Sequence, residues 1–152
     1  MDISCASFLV VFLCIYIAFL FYKRKRFETR CHRLESAVKY ALDRRQQSIE
    51  TVKVKLDEVD AGLRQHIASM DFQVLLDSLQ NGKVTALQVL RAYQEKALAA
   101  QEKTNCITQF ILEADDWAKT LDEQFETNKG TGQRPPFFGI PFSIKECIGV
   151  SG

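Results

Sequence analysis

From Ala6 to Tyr22 the chain runs for 17 residues without a charge, Ser7 being its one weakly polar member. Extended back to Ile3 the run has 20 residues. At about 1.5 Å per residue that is roughly 30 Å, one bilayer core. A secretory signal peptide fits less well, because it wants a positive start, a shorter apolar run and a small-residue cleavage site. Here the chain begins Met-Asp, and the run ends in Phe21-Tyr22 followed by Lys23-Arg24-Lys25-Arg26. The pattern predicts an uncleaved transmembrane anchor over residues 3–22. From Lys23 to Arg33 there are six Lys/Arg and one acid, Glu28, and no basic residue precedes the run. That asymmetry predicts a single pass with the soluble part in the cytosol. The collar would also attract anionic lipid.

The next pattern has helical period. No Pro or Gly falls between Glu28 and Ala61. Leu34, Val38, Ala41, Leu42, Ile49, Val52, Leu56 and Val59 recur mostly at steps of three and four, interrupted by Arg45. Gly62 is the expected break. A short coiled-coil seam and one helix lying on a globular body both fit. The shortness and the interruption favour the second. A further helix is predicted from about Ser69, as its cap, to Leu79, before a turn at Asn81-Gly82. Thr85 is positioned to cap another, Ala86 to about Glu102, broken by Lys103-Thr104-Asn105.

Then the pattern shortens. Cys106-Ile-Thr-Gln-Phe-Ile-Leu112 is β-branched and aromatic, and reads as a strand. Glu113 to about Phe125 reads as a helix with Ala114, Trp117, Ala118, Leu121 and Phe125 on one face. Asn128 to Pro136 is loop. Phe137-Phe-Gly-Ile-Pro-Phe-Ser-Ile-Lys145 is a second strand signal, irregular or at an edge because Pro141 lacks a donor. Strand, helix, strand is the βαβ unit of an α/β sheet. Two strands do not make a stable sheet, and residues 137–144 are too apolar for a solvated edge. The expectation is therefore the front end of a longer protein, from a truncated splice form or an incomplete gene model.

Composition narrows the classes. The chain has 152 residues, 20 Lys+Arg and 19 Asp+Glu, so a strongly basic nucleic-acid binder is excluded and no nucleic-acid partner is expected. Beyond residue 26 there are 16 basic and 18 acidic residues, a mildly acidic soluble part. Cys5, Cys14, Cys31, Cys106 and Cys147 form no CxxC pair, and fit neither a disulfide framework nor a zinc site. His32 and His66 have no matching ligand set and read as surface residues, so no metal is expected.

Chemical signals are sparse. There is no GxSxG elbow, no GxxxxGK[ST] loop and no HExxH helix. Ser143 has no nearby His. Lys145 ends an apolar strand signal. A buried lysine loses its proton readily and serves as a neutral base. On the residues alone the plainer reading is favoured, a lysine surfacing into solvent at the end of a strand.

A resemblance changes that balance. Phe138-Gly-Ile-Pro-Phe-Ser-Ile-Lys-Glu146 resembles the G-[IV]-P-x-x-[IVL]-K-[DE] segment of amidase signature enzymes. Lys145-Glu146-Cys147 and Thr104-Asn105-Cys106-Ile107-Thr108 look like stretches of the animal fatty acid amide hydrolases within that family. The resemblance extends over roughly residues 60–150, and before that only to layout. It implies the N-terminal portion of the amidase signature fold: an N-terminal transmembrane helix, then helices and the first βαβ strands of a mixed sheet. The implied division is a 3–22 anchor, a 23–62 basic collar and amphipathic helix, and a truncated amidase portion at 63–152.

The resemblance also implies a mechanism. A neutral lysine takes a proton from a bridging serine, which activates a nucleophilic serine against an amide or ester carbonyl, while a Gly/Ser-rich loop holds the oxyanion. Lys145 is the one position of that Ser-Ser-Lys triad that matches here. Ser143 is not one of the serines, and both should lie further on. The implied protein is an integral hydrolase of fatty amides and N-acylethanolamines at the endoplasmic reticulum or another endomembrane, with no cofactor. Its partners would be the lipid bilayer, the fatty amide substrate and a second copy of the chain. By that reading the 152 residues alone are inactive. The alternative is a non-catalytic, truncated membrane adaptor binding partners through its helical region.

Overall fold

The computed structural model describes residues 5–127 and 134–148, excluding the side chains of 5–7, 9 and 125–127. The expected loop at 128–133, the first two residues of the expected anchor, the Phe125 side chain and the closing residues 149–152 lie outside the described residues.

The described residues form five α-helices in chain order: α1 Cys5–Lys55, α2 Ala61–Ser69, α3 Phe72–Gln80, α4 Ala86–Thr104 and α5 Ala114–Thr127. A 3-10 turn, Leu56–Glu58, closes α1. The chain divides into two compact units, Met1–Asp43 and Arg44–Gly152.

In the first unit α1 is continuous. Arg24 donates to Glu28 one turn on at 3.0 Å, and Thr29 and Ser36 donate back to the carbonyls of Lys25 and His32. The apolar side chains from Val10 to Tyr22 are all exposed. Among the described residues no helix is long and apolar enough to cross a membrane. The same helix then carries Lys23 to Arg26. Among the described residues, therefore, the expected transmembrane anchor, and with it the single-pass placement with a cytosolic soluble part, is not found.

The second unit has a core. Ile67, Leu75, Leu79, Val84, Val89 and Ala92 are buried together, with Leu63, Ala68, Met70, Tyr93 and Ile140 packed against them. Fully burying one such large aliphatic side chain is worth about 1.5–3 kcal/mol. Helix α4 is central and packs against α2, α5 and the 3-10 turn. Of the predicted stripe on α1, Val52 is buried and Ile49 half-buried, whereas Leu34, Val38 and Leu42 are exposed. Arg45, which interrupts the stripe, donates to Asn105 Oδ1 just past the end of α4.

The caps correct two boundaries. The break falls at Val59–Asp60, not Gly62: Asp60 Oδ2 accepts from the Leu63 N–H at 3.0 Å and starts α2. Ser69 closes α2 by donating to the His66 carbonyl, and Asp71 caps α3 by accepting from the Gln73 N–H. Thr85 caps α4 as expected, in a reciprocal pair with Gln88, and Asn105 ends that helix in the left-handed conformation at φ 53°.

The expected α/β sheet is absent: among the described residues there is no strand. At 106–112 side chains take the amide donors that a ladder would use. The Ile107 N–H donates to Gln101 Oε1 at 2.6 Å and the Phe110 N–H to Ser48 Oγ at 3.1 Å. At 137–145 the first half is a turn, and Pro141 has no donor to give. The amides of Phe138 and Ile140 bond locally, to the carbonyls of Pro135 and Phe137. A β-rich composition makes a strand only where a neighbouring strand supplies the partners.

Candidate functional site

Lys145 stands at the end of an irregular segment, 134–148, that runs over the junction of α3 and α4. Gln80 near the end of α3 donates from Nε2 to the Pro135 carbonyl at 2.8 Å. The same carbonyl accepts from the Phe138 N–H at 3.0 Å. The Arg134 guanidinium lies 4.8 Å from the centre of the Phe138 ring. Gly139 completes the turn at φ +73°. A Cβ there would lie 3.0 Å from Leu79 Cδ2 and 3.1 Å from Ala86 Cβ. Glycine is thus required twice, by the dihedral and by the close approach. Ile140 then enters the core beside α3 and α4.

Beyond Ile140 the segment turns outward. Ile144 is half-buried, and Phe142, Ser143 and Lys145 are exposed, Phe142 at 80%. The Lys145 carbonyl accepts from the Ile148 N–H at 2.9 Å, which closes a short turn. Lys145 therefore presents an amine to solvent from a segment whose base is anchored. The burial that would make it a neutral base is not supplied by the described residues. Cys106 and Cys147 are exposed thiols, and His32 and His66 are exposed as well.

Three sets of charged groups that the apolar pattern did not single out tie the helices of the second unit together. Arg91 is fully buried on α4 and bonds Asp115 with both terminal nitrogens, at 2.7 and 3.0 Å. It also reaches Glu58 in the 3-10 turn and Gln94 one turn on. Lys55 at the end of α1 donates to Asp115 Oδ2, the oxygen that one Arg91 nitrogen also bonds. Burial on its own would raise the Asp115 carboxyl. The hydrogen bonds from Arg91 and Lys55 outweigh it and hold the carboxyl below its ordinary value. Burial would likewise lower Arg91, and its bonds to Asp115 and Glu58 keep it above the usual arginine value. Arg64 forms a second tie, to Glu95 at 3.1 and 3.2 Å and to the carbonyls of Leu56 and Val59. The Glu95 hydrogen bond, opposed by burial, raises its value. Asp122 on α5 accepts from the first two amides of α4.

Signals for these groups existed. Arg91 lies seven residues before Leu98 and three before Gln94, on the face of α4 that is buried. On α5 the expected face holds in part: Ala118 is buried and Ala114 and Leu121 are half-buried, but Trp117 is 42% exposed, and the buried side extends to Asp115 and the half-buried Asp122.

This geometry, a glycine turn seated on α3 and α4 and leading to an exposed lysine, coincides with the stretch that known proteins share. Residues 88–152 match the family described as Amidase. That stretch of the chain belongs to the amidase family. In particular, the chain is 38% identical over 145 residues to Fatty acid amide hydrolase 1 of Caenorhabditis elegans, covering 95% of this chain and 25% of that protein. It is 33% identical over 87 residues to Vitamin D3 hydroxylase-associated protein of Gallus gallus, covering 57% of this chain and 17% of that protein. It is 36% identical over 87 residues to Amidase 1 of Gibberella moniliformis, covering 57% and 16%. The chain thus spans a quarter or less of the length of these relatives. No solved structure matches it.

Proposed function

We propose that this chain is the lysine-bearing portion of an amide hydrolase that acts on fatty amides and N-acylethanolamines. The observation that carries this is Gly139-Ile-Pro-Phe-Ser-Ile-Lys145, whose glycine is sterically required and whose lysine emerges from an anchored turn. The similarity to a fatty acid amide hydrolase along 95% of the chain supports the substrate class. Lys145 acts as the proton acceptor of a Ser-Ser-Lys triad. Its amine takes the proton of a bridging serine, and that serine takes the proton of the nucleophile as the nucleophile attacks the amide carbonyl. The same serine then protonates the departing amine. The two serines come from sequence that follows in the relatives.

The test joins residues 1–152 to the remaining part of the Caenorhabditis elegans relative and measures hydrolysis of a long-chain primary amide. The chimaera should turn over, and Lys145→Ala should lower turnover by about 10²–10⁴-fold, the usual range for a positioned acid–base group. The 152 residues alone should neither hydrolyse the amide nor take a fluorophosphonate label. Full turnover in the Lys145→Ala chimaera refutes the reading.

A partner-binding role has one observation in its favour. Leu34, Val38 and Leu42 recur at helical spacing on α1 and are all more than half exposed. Capture of a specific partner by the wild-type chain, lost in Leu34→Ser with Val38→Ser, supports it.

A further inference from the structure

Asp122 joins α5 to the surface on which the Lys145 segment rests. Its Oδ1 accepts from the Ala86 N–H at 2.7 Å and its Oδ2 from the Leu87 N–H at 3.0 Å. The local capping box serves other groups. Thr85 Oγ1 accepts from the Gln88 N–H, and Gln88 Oε1 accepts from the Thr85 N–H. The box thus leaves the first two amides of α4 without a local partner, as helix starts do. A carboxylate from another helix meets both. Two adjacent donors at the positive end of a helix call for two acceptor oxygens on one planar group, which aspartate has and asparagine has not.

Ala86 is where this clamp and the Lys145 segment meet. It is 2% exposed. Its amide is held by Asp122, and its Cα and Cβ are the atoms that Gly139 overlies, 3.4 and 3.1 Å from where a Cβ would stand. Among the described residues the backbone bonds of this segment are local ones, at Phe138, Ile140 and Ile148. Three supports attach it to the body: Gln80 on the Pro135 carbonyl, Gly139 on Leu79 and Ala86, and Ile140 against the core, alongside whatever Arg134 contributes. A first turn of α4 that shifts by a few tenths of an ångström moves one of those three supports directly.

We propose that Asp122 is a positioning residue for Lys145: by clamping the first turn of α4 it fixes the seat of Gly139, and with it the register of the segment that ends at Lys145. This deepens the reading of Lys145 as proton acceptor and rests on it. Asp122 acts through Ala86 and Gly139, and touches no reacting group.

Amide hydrogen exchange on the 152-residue chain tests it, with Asp122→Ala, Asp122→Asn, Gly139→Ala and a control, Glu95→Gln, which weakens the Arg64 tie on another part of α4. Asp122→Ala should speed exchange at Phe138 and Ile140 by about tenfold, the loss expected from an emptied cap. Asp122→Asn keeps one acceptor and should show a smaller change. Glu95→Gln, compared at equal distance below its melting temperature, should leave those two amides as they are. If Asp122→Ala does not fold, a double-mutant cycle of Asp122→Asn with Gly139→Ala decides, because two sites acting on one seat give non-additive changes at Ile140. Additive changes, or equal effects of Asp122→Ala and Glu95→Gln, overturn the proposal and leave the catalytic reading intact. Full turnover in the Lys145→Ala chimaera overturns both.

Discussion

Residues 8–43 and residues 44–148 are both mainly helical, but only the second group has an inside. In the first, nearly every described side chain is exposed, from Phe12 at 69% through Phe27 at 68% to Leu34 at 66%. In the second, Val52, Ile67, Leu75, Leu79 and Val89 are at 1% or less, and Arg91 is buried with them. Helical period alone therefore does not distinguish a face that packs from one that does not. In the first region the helix is held by its own backbone and by pairs such as Arg24–Glu28, worth a few tenths of a kcal/mol each. In the second, tertiary contacts carry most of the stability.

The change that should break this contrast most sharply is Arg91→Ala. It leaves Asp115 with 4% side-chain exposure and without its main partner. Removing one member of a buried pair costs about 3–5 kcal/mol. That is a large part of what a domain of this size has to lose. The cooperative urea transition of the second region should be abolished or shifted far down, while Arg24→Ala leaves it in place. An unaltered midpoint for Arg91→Ala would mean that the network contributes little.

The same network should make the second region acid-labile. Asp115 is held below its ordinary value by Arg91 and Lys55 against the effect of burial, so the unfolded chain takes up its proton first as pH falls. Its contribution is complete above the usual carboxylate range near pH 4 and drains away below it, as pH approaches the depressed folded value. The denaturation midpoint should therefore fall through that range. Arg91→Met with Asp115→Leu, an apolar replacement of the buried pair, should flatten the slope while holding stability at neutral pH. An acid slope identical in the two proteins assigns it to other carboxylates.

What could be read in the sequence follows the same division. The extents of α4 and α5 follow from apolar spacing and capping residues, because those are local properties; Thr85 with Gln88 is legible as a cap three residues apart. Strands were not legible in the same sense. Ile107 and Phe110 have β-prone side chains, but their amides go to Gln101 and Ser48, and no local pattern encodes those bonds. The apolar run before Lys23 supports a helix but not a span, since among the described residues no helix is long and apolar enough to cross a membrane. On α5 the apolar pattern placed Trp117 on one face with Ala118 and Leu121, whereas Trp117 is exposed, and salt bridges and a cap turn Asp115 and Asp122 inward beside Ala118. Charged groups that are buried because they are paired cannot be found by a search for apolar stripes. For Lys145, only the family motif raised it above an ordinary surface lysine.

Gly139→Ala is smaller in effect and sharpens the contrast within the second region. Alanine at φ +73° carries about 1–2 kcal/mol of backbone strain, and its Cβ meets Leu79 and Ala86 at 3.0 and 3.1 Å. Gly82 is also at positive φ, in the turn after α3. Gly139→Ala should therefore lower the melting temperature by more than Gly82→Ala does. Equal losses would show that the dihedral, and not the seat on Ala86, is what Gly139 supplies.

The smallest effect belongs to the first region and decides how the comparison itself should be read. Leu34 is 66% exposed on α1, at the same helical spacing that buries Val52 further along. Leu34→Ser removes a large apolar side chain from a face that covers nothing, so its cost should stay within about 0.5 kcal/mol, the range of ordinary surface changes. The reason is that the side chain is nearly as hydrated in the folded chain as in the unfolded one, and the transfer free energy cancels. Serine is also a slightly poorer helix former than leucine, which accounts for the few tenths that remain. Circular dichroism melts of the 152-residue chain at two concentrations make the measurement. A loss of 2 kcal/mol or more that grows with protein concentration would show that this stripe is covered in solution by a second copy, and that the difference between the two regions is one of partner and not of burial.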